Sequence, residues 1–454
     1  MVTNPSRLTL LVIFLFITGS ALAQEHNHRP EHTSVKPDST SYQGQDSYRP
    51  GAHNFSGRIP MSRKGSGTGW LPDARPMYGY MFHSDGWMFM VHGNVYARYT
   101  NSDIGGAGTR GDAKWGATNW VMGMAQTKSG NNGLLDFSAM LSLEPLTIGG
   151  AGYPLLFQTG ESWEGVPLVD HQHPHDLFSE LSVTYTQMFD ENINAFLYLG
   201  YPGEPALGPP AFMHRPSGLY SPDTPIGHHW QDATHVMFGV ATLGFRYKNF
   251  MIDGSLFNGT EPNEERWGFD EFQFNSWSLR LSYNPSDNLA LQVSRGWIND
   301  AHPASPREDV NRTTASAMHS ARLAPETFLN TAAVWGHNDI VRGHHPSSHS
   351  LLLESALTIH NTTVFGRYEW VNKSGESLQL NEAVFSHNEI DELYGVNALA
   401  LGIQQKLFKT LNTNVALGVE GRLGFTPDEL TEVYGDTPVG FQVYLRLYPG
   451  RMMH

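Results

Sequence analysis

Most of the chain alternates apolar and polar residues in runs of about 10 residues or slightly more. In one clear run, the apolar set is Leu135, Phe137, Ala139, Leu141 and Leu143, and the intervening set is Asp136, Ser138, Met140, Ser142 and Glu144. Because successive side chains of a strand point to opposite faces, this period of two predicts strands with one apolar and one polar face. Such strands fit the wall of a barrel that contacts lipid outside and water inside.

Sixteen runs of this kind are predicted as strands, at residues 86–99, 119–129, 133–145, 177–189, 192–203, 236–247, 250–260, 274–284, 288–299, 314–324, 327–338, 350–360, 363–373, 396–408, 412–424 and 438–449. Short turns and long loops alternate between them, as they do between the periplasmic and extracellular ends of bacterial barrels. We therefore predict an all-β fold, a transmembrane antiparallel up-and-down β-barrel of about 16 strands with long extracellular loops and short periplasmic turns. A soluble β-sandwich or propeller is the alternative, but neither fold needs all of its long loops at one end.

The first residues predict export. Arg7 precedes an apolar run from Leu8 to Ile17, and Ala21-Leu22-Ala23 follows as a cleavage site, so residues 1–23 are predicted to be a signal peptide. Residues 24–85 are polar and rich in Pro, Gly, Ser and His, and we expect a flexible periplasmic N-terminal extension that can enter the lumen. Residues 86–454 form the predicted barrel, and the predicted location is the bacterial outer membrane.

Composition narrows the range of partners. The chain has no cysteine, which excludes disulfides and thiolate metal sites, and 12% of its residues are aromatic. Its formal net charge of −15 excludes nucleic acid as a partner, because phosphate binding requires a basic surface. The expected partners are outer-membrane lipid, the barrel-assembly machinery, and metal ions or small solutes, whereas the oligomeric state is not indicated.

Two histidine clusters end neighbouring long loops and are the candidate metal site. In an extended segment His171, His173 and His175 share a face, with Asp176 beside them. The second cluster contains His228, His229, Asp232 and His235. The strands that follow the two loops are two neighbours apart, about 10 Å, so the clusters can meet and bind copper or zinc. The alternative is that these side chains only hydrogen-bond to hold the loops folded over the barrel mouth.

Two other groups of histidines are not predicted to form a metal site. His344, His345 and His349 are expected in a solvated loop, and His26, His28 and His32 in a polar tail that at most captures metal weakly. No cofactor is required by any of these patterns.

A second candidate patch follows from strand phase. If Trp87, Phe89 and Val91 face lipid, then an inner face carries thioether and imidazole groups: Met88, Met90, His92, Met122, Met124 and Met140. Such groups are soft ligands suited to copper. The alternative is that these methionines fill gaps where residues 60–85 pack into the lumen.

Four loop segments resemble a known family. They are Gly152–Glu161, Pro167–Phe178, Gly203–Pro216 and Gly227–His235. They are similar to a family of uncharacterised bacterial outer-membrane β-barrel proteins that is associated with heavy-metal and copper resistance loci. The resemblance covers residues 60–450 and implies an outer-membrane barrel, but the family offers no established function to transfer.

We therefore predict an outer-membrane channel, similar to porins, that is involved in transition-metal binding or passage, with copper as the favoured ion. The alternative is a general solute porin in which the His and Met clusters are structural. An outer-membrane hydrolase is the third possibility, but no Gly-x-Ser-x-Gly elbow or nucleotide fingerprint occurs in a supporting context, so no catalytic residue is predicted.

Overall fold

The computed structural model describes residues 52–53, 56–301, 308–342, 346–380, 385–386, 389–390 and 392–452. The predicted signal peptide, residues 24–51 of the predicted extension, and His26, His28, His32, His344 and His345 lie outside the described residues. Among the residues that are described, no helix is long and apolar enough to cross a membrane.

Strands dominate the described chain. They are β1 (Ala52–His53), β2 (Ser56–Pro60), β3 (Tyr80–Ser84), β4 (Trp87–Asn101), β5 (Ala113–Ser129), β6 (Gly133–Leu141), β7 (Tyr153–Trp163), β8 (Val166–Gln172), β9 (Phe178–Met188), β10 (Ile193–Gly200), β11 (Val240–Tyr247), β12 (Phe250–Phe257), β13 (Ser276–Ser286), β14 (Leu289–Ile298), β15 (Asp309–Ala324), β16 (Thr327–Arg342), β17 (Ser348–Ile359), β18 (Thr362–Ser374), β19 (Leu393–Thr410), β20 (Thr413–Phe425) and β21 (Val439–Pro449). The one-turn α-helices are α1 (Glu144–Thr147), α2 (His228–Gln231) and α3 (Thr431–Tyr434).

The strands close into one antiparallel barrel. Strands β4–β6 and β9–β21 form sixteen full wall strands, each paired with its neighbour, and β21 pairs with β4 to close the sheet. Each of these strands coincides with one of the predicted runs, so the predicted fold class is confirmed. Strands β5 and β15 begin earlier than predicted, at Ala113 and Asp309. The pairs β1–β2 and β7–β8 form separate two-stranded sheets.

The N-terminal extension is not separate from the barrel wall. Strand β3 belongs to the predicted extension, yet it pairs with β4 along Trp87–Val91, while β21 pairs with β4 along Val95–Asn101. The β3–β4 hairpin turns at Asp85 and Gly86, whose φ angles are 49° and 82°. Positive φ at both positions is the geometry that Asp-Gly favours in a tight hairpin, so the predicted boundary at residue 86 falls inside a hairpin.

The barrel has an apolar exterior and a polar interior. In β6, Leu135, Phe137 and Leu141 face outward as predicted, whereas Asp136 and Met140 are buried inside. Exposed apolar side chains recur around the outside: Leu243, Ile252, Leu279, Leu281, Val293, Leu353, Val364, Leu401, Leu417 and Leu445. Charged side chains are buried on the inner face: Asp253, Arg280, Arg312, Glu354, Arg367, Glu420 and Arg446. This distribution inverts that of a water-soluble domain and suits a wall surrounded by lipid hydrocarbon.

Three segments fill the lumen. They are residues 59–79, the loop 142–177 that contains β7 and β8, and the loop 201–239. Their side chains are largely buried, including Trp70 and Leu71 of the first segment and Ile226 of the third. Ion pairs attach them to the wall, among them Lys64 to Asp136 at 2.7 Å. The barrel interior is therefore packed with its own chain.

An outward-facing position at the middle of a wall strand tests this orientation. Leu281 lies at the centre of β13, is 46% exposed, and is flanked by Ile252 and Val293 on the neighbouring strands. Replacing Leu281 with Arg in a lipid bilayer is expected to cost about 2–4 kcal/mol of folding free energy. Reversible denaturant unfolding in lipid vesicles measures this cost.

The matched control is Leu323→Arg, because Leu323 is also exposed but lies at the short-turn end of β15. Its cost should fall to about 1 kcal/mol or less, as expected near the bilayer interface. Equal costs at the two positions would contradict a lipid-facing belt centred on Leu281.

Candidate metal centre in the barrel lumen

The histidines of the two predicted clusters come from two loops that fold into the lumen. His173 and His175 follow β8 and precede β9, while His228 and His229 lie on α2 and His235 ends a 3₁₀ turn before β11. Strands β9 and β11 are separated in the wall by β10 alone. The two loops therefore descend side by side, as the strand order predicted.

Five imidazole rings form a closed circuit, which we call the histidine ring. The ring centroids are separated by 5.3 Å for His175–His235, 5.1 Å for His235–His228, 5.3 Å for His228–His229, 6.5 Å for His229–His173 and 6.4 Å for His173–His175. Phe212 packs against three of these rings at centroid distances of 5.5–6.3 Å. The predicted meeting of the two clusters thus occurs for these five residues.

The Nδ1 atoms of the ring are held by oxygen acceptors. His175 Nδ1 lies 2.8 Å from Glu144 Oε2, and the backbone N–H of His175 donates to the same oxygen at 2.9 Å. His228 Nδ1 lies 2.7 Å from Asp232 Oδ1, and His235 Nδ1 lies 2.9 Å from the Asp232 carbonyl oxygen. Since carbonyl and ionised carboxylate oxygens only accept hydrogen bonds, these contacts place the proton on Nδ1. A neutral ring then keeps its lone pair at Nε2.

Two of these lone pairs converge. His175 Nε2 and His235 Nε2 are 3.2 Å apart. Two nitrogens bound to one tetrahedral zinc ion at the usual bond length would be separated by about 3.3 Å. The outer hydrogen bonds from Nδ1 to a carboxylate or a carbonyl are also the arrangement that orients metal-ligating histidines. The two nitrogens therefore have the separation that two imidazole ligands of one ion would have.

Burial lowers the pKa of three of the ring histidines, His173, His229 and His235. Desolvation, reinforced by the neighbouring His228 and His175, lowers the pKa of His235 to about 3. Desolvation also lowers the pKa of His173, with Arg266 adding to the effect, and that of His229, where Glu261 opposes it. Neutral imidazoles are the form that binds metal ions.

Surrounding residues fix the ring in place. Arg215 is fully buried and joins Asp232 of the loop, at 2.6 Å, to Glu354 of wall strand β17, at 2.8 Å. Gly160 has a φ of +123°, and a Cβ there would lie 2.7 Å from the His229 ring. Only glycine fits this position without moving His229.

Three predicted ligands lie elsewhere or have another role. His171 lies in β8, is partly exposed, and has its Nε2 atom 3.4 Å from Asp112 Oδ2. It does not share a face with His173, because β8 ends at Gln172 and the strand alternation stops there. Asp176 pairs with Arg266 at 3.2 Å. Asp232 pairs with Arg215 and His228, so it orients the ring. Among the described residues, no group of three or more His, Asp or Glu side chains is arranged to hold a metal ion.

Several residues of the centre were not predicted. Glu144, Glu161 and Glu261 contact His175, His173 and His229, respectively. Their only sequence feature is a position in or next to the long loops, and Glu161 closes one of the four family-like segments. Arg215, which ends another such segment, and Phe212 were also missed as parts of the centre.

The predicted methionine patch lies inside the barrel. Met88, Met90, Met122, Met124 and Met140 are buried together and form one apolar cluster with Met61, Met77 and Met213. His92 lies beside them, with its ring 5.3 Å from that of Trp120 and 5.9 Å from that of His214. The inward phase predicted for these wall residues is confirmed, and residues of the N-terminal segment pack against them.

The remaining described histidine of the third group, His349, stacks on His337 with a centroid distance of 4.4 Å. His337 lies on β16 and His349 on the neighbouring β17, so His349 is in the wall and not in the predicted loop. Strand β17 begins at Ser348, two residues before the predicted start at residue 350, and therefore includes His349.

Comparisons with known proteins find distant matches among solved structures alone. No family model matches the chain, and no curated protein sequence matches it significantly. Among solved structures, it is similar to an anion-selective porin from Comamonas acidovorans, with 11% identity over 80% of this chain and 99% of that chain and a TM-score of 0.47. The chain is also similar to Salmonella typhi OmpF in complex with daunomycin, with 11% identity over 81% of this chain and 99% of that chain and a TM-score of 0.47.

The outer-membrane channel DcaP of Acinetobacter baumannii has 10% identity over 81% of this chain and 99% of that chain, with a TM-score of 0.42. At these values the comparisons carry no inference about activity. The barrel implied by the family resemblance is confirmed by the fold, whereas the association with copper resistance has no support among these proteins.

The anchor at Arg215 generates a stability prediction. Replacing Arg215 with Met leaves the buried Asp232 with His228 alone and the buried Glu354 with the longer contact to Arg367, at 3.4 Å. Removing one partner from a buried ion pair costs about 3–5 kcal/mol. We expect a loss of that size in denaturant unfolding, together with faster proteolysis within residues 201–239.

Arg451→Met is the control, because Arg451 pairs with the half-exposed Glu326 at the barrel end. Surface pairs contribute about 0–1 kcal/mol, so this variant should unfold almost like the parent. A silent Arg215→Met variant would show that loop 201–239 is held by its apolar contacts.

Proposed function

We propose that this protein is an outer-membrane β-barrel that captures a divalent transition-metal ion at the histidine ring, inside a lumen closed by its own loops. The membrane location is supported by the signal-like N-terminus and by the apolar exterior around a charged interior. The even number of wall strands and the short turns at one end are also typical of bacterial outer-membrane barrels.

The observation that carries the metal proposal is the 3.2 Å contact between the Nε2 atoms of His175 and His235. With both Nδ1 atoms donating to oxygen, two neutral rings would direct lone pairs at each other, and a cation between them, either a proton or a metal ion, removes that repulsion. A metal ion satisfies both lone pairs at once. A water molecule or a movement of His228, whose ring is adjacent, supplies further coordination.

The chemistry of the donors sets the class of ion. Imidazole nitrogen with carboxylate nearby favours zinc or copper(II) over calcium or magnesium, which prefer all-oxygen sites. The carboxylates of Glu144 and Glu261 beside the ring offset the charge of a divalent ion. Burial raises the pKa of Glu161 to about 8, so a metal ion near His173 would have to displace its proton. Copper and zinc are therefore the ions to test.

A vestibule on the long-loop side leads toward the ring. A cavity of about 240 Å³ is lined by Glu161, His229 and Trp230 from the lumen and by Asn338 and Ser374 from the wall strands. Ions arriving from outside the cell would meet Glu161 and His229 first. The packed lumen beneath supports selective binding rather than bulk diffusion of solutes.

The test is isothermal titration of the purified full chain with zinc and with copper(II). His175→Ala combined with His235→Ala removes both converging nitrogens, and we expect affinity to fall on the order of 100-fold. The variant should retain the barrel, because both residues lie in loops and leave the wall hydrogen bonds intact.

His337→Ala combined with His349→Ala is the matched control, since it removes a second close pair of imidazoles from the wall. This variant should bind metal like the parent. Equal affinity in the ring variant and the parent would overturn the proposal. A large steady conductance of metal-free protein in planar bilayers would favour the general solute porin and contradict the closed lumen.

A further inference from the structure

Below the histidine ring, six methionines surround a closed space in the lumen. A cavity of about 60 Å³ is lined by Met61, Met77, Met90, Met122, Met124 and Met213, and we call it the methionine chamber. The lining thioethers come from three separate parts of the chain, namely the N-terminal segment, wall strands β4 and β5, and the loop 201–239. A volume of this size accommodates an ion or a few water molecules.

His92 gives the chamber a polar atom that lacks a partner. The side chain lines the same cavity, and its Nε2 atom is buried without a hydrogen-bond partner in the structure. The ring is positioned by edge contacts with Trp120 and His214. A buried acceptor or donor left unpaired is destabilising, so a ligand that bonds to Nε2 would stabilise the folded barrel.

We propose that the methionine chamber binds a soft monovalent metal cation, of the class of Cu(I) or Ag(I), through thioether sulfur and His92 Nε2. Thioether is a neutral, polarisable donor that selects soft ions. This site is distinct from the histidine ring, and it does not depend on metal binding there.

The charges around the chamber disfavour a divalent ion more strongly than a monovalent one. Lys64, Arg75 and Arg446 also line the cavity, whereas no carboxylate is among the described lining residues. The charge of Lys64 is neutralised by Asp136 at 2.7 Å, whereas Arg446 donates to the neutral Asn94 at 2.8 Å and Arg75 donates to the carbonyl oxygen of Lys64 at 2.9 Å. Arg446 and Arg75 still repel a metal ion, and the repulsion of a divalent ion is twice that of a monovalent one.

Packing alone does not account for the arrangement. Methionine is commonly a flexible filler of irregular cores, and Met88 and Met140 fit that role because they are buried in the same cluster without lining the cavity. The six lining methionines instead leave a space next to an unpaired imidazole nitrogen. Met88 and Met140 therefore supply a control of the same chemistry in the same wall.

The experiment uses Ag(I), which is redox-stable, added to the purified full chain and followed by isothermal titration. Met122→Leu with Met124→Leu removes two thioethers from the chamber while conserving volume, and we expect Ag(I) affinity to fall on the order of 100-fold. Met88→Leu with Met140→Leu should leave Ag(I) affinity unchanged.

Two further measurements separate this site from the histidine ring. Ag(I) affinity should persist in the His175→Ala, His235→Ala variant, and X-ray absorption of protein loaded with Cu(I) should show sulfur neighbours. Affinity lost only in the ring variant, an equal loss in both methionine variants, or a spectrum with nitrogen and oxygen neighbours alone would each overturn the proposal. Ag(I) binding in the chamber with no zinc or copper(II) binding elsewhere would leave it standing while removing the proposed function.

Discussion

The guanidinium group of Arg215 is the contact on which the interior depends. It joins Glu354 of the wall to Asp232 of the loop, with no exposure to solvent. Asp232 then accepts from His228 Nδ1 through its carboxylate and from His235 Nδ1 through its carbonyl oxygen. Arg215 thus ties Asp232 to the wall, and Asp232 in turn orients the imidazoles of His228 and His235.

Such a connection is costly to build in an apolar medium and is favourable only when every charge has a partner. The interior follows this rule in its main ion pairs. Lys64 of the N-terminal segment pairs with Asp136 of β6 at 2.7 Å, and Arg98 of β4 pairs with Asp223 of loop 201–239 at 2.6 Å. These pairs specify where each loop segment lies, because a shifted loop would leave charges unpaired inside the barrel. Rigid placement of the histidine ring is the result.

The wall strands could be predicted from the sequence because the apolar–polar alternation that indicates each strand lies within that strand. Alternation of apolar and polar residues, as from Leu135 to Leu141, predicts a β-strand when a turn bounds the run at each end. Every full wall strand was predicted in this way. The Asp85-Gly86 hairpin shows a local pattern that was available but outweighed by the polar composition of residues 24–85. The hairpin β7–β8 lies within a loop whose pairing shifts between Pro154 and Glu161, so it lacks a clear alternation.

The centre was only half predictable, since its contacts join residues far apart in the chain. The meeting of His175 with His235 followed from strand order, but the partner Glu144 and the anchor Arg215–Glu354 depend on how loops pack. His171 was misplaced because the period of two was extended past the end of β8 at Gln172. Sequence patterns thus locate candidate ligands, and packing decides which of them converge.

The seam formed by β3 limits how this barrel can open. Residues 59–79 fill the lumen and continue directly into β3, which covers the edge of β4 along Trp87–Val91. Expelling that segment would uncover backbone N–H and C=O groups facing hydrocarbon, where each unsatisfied group costs several kcal/mol. Residues 59–79 are therefore anchored to the wall through β3. The loops 142–177 and 201–239 contribute no strand to the barrel sheet, so their displacement would leave the wall hydrogen bonds intact.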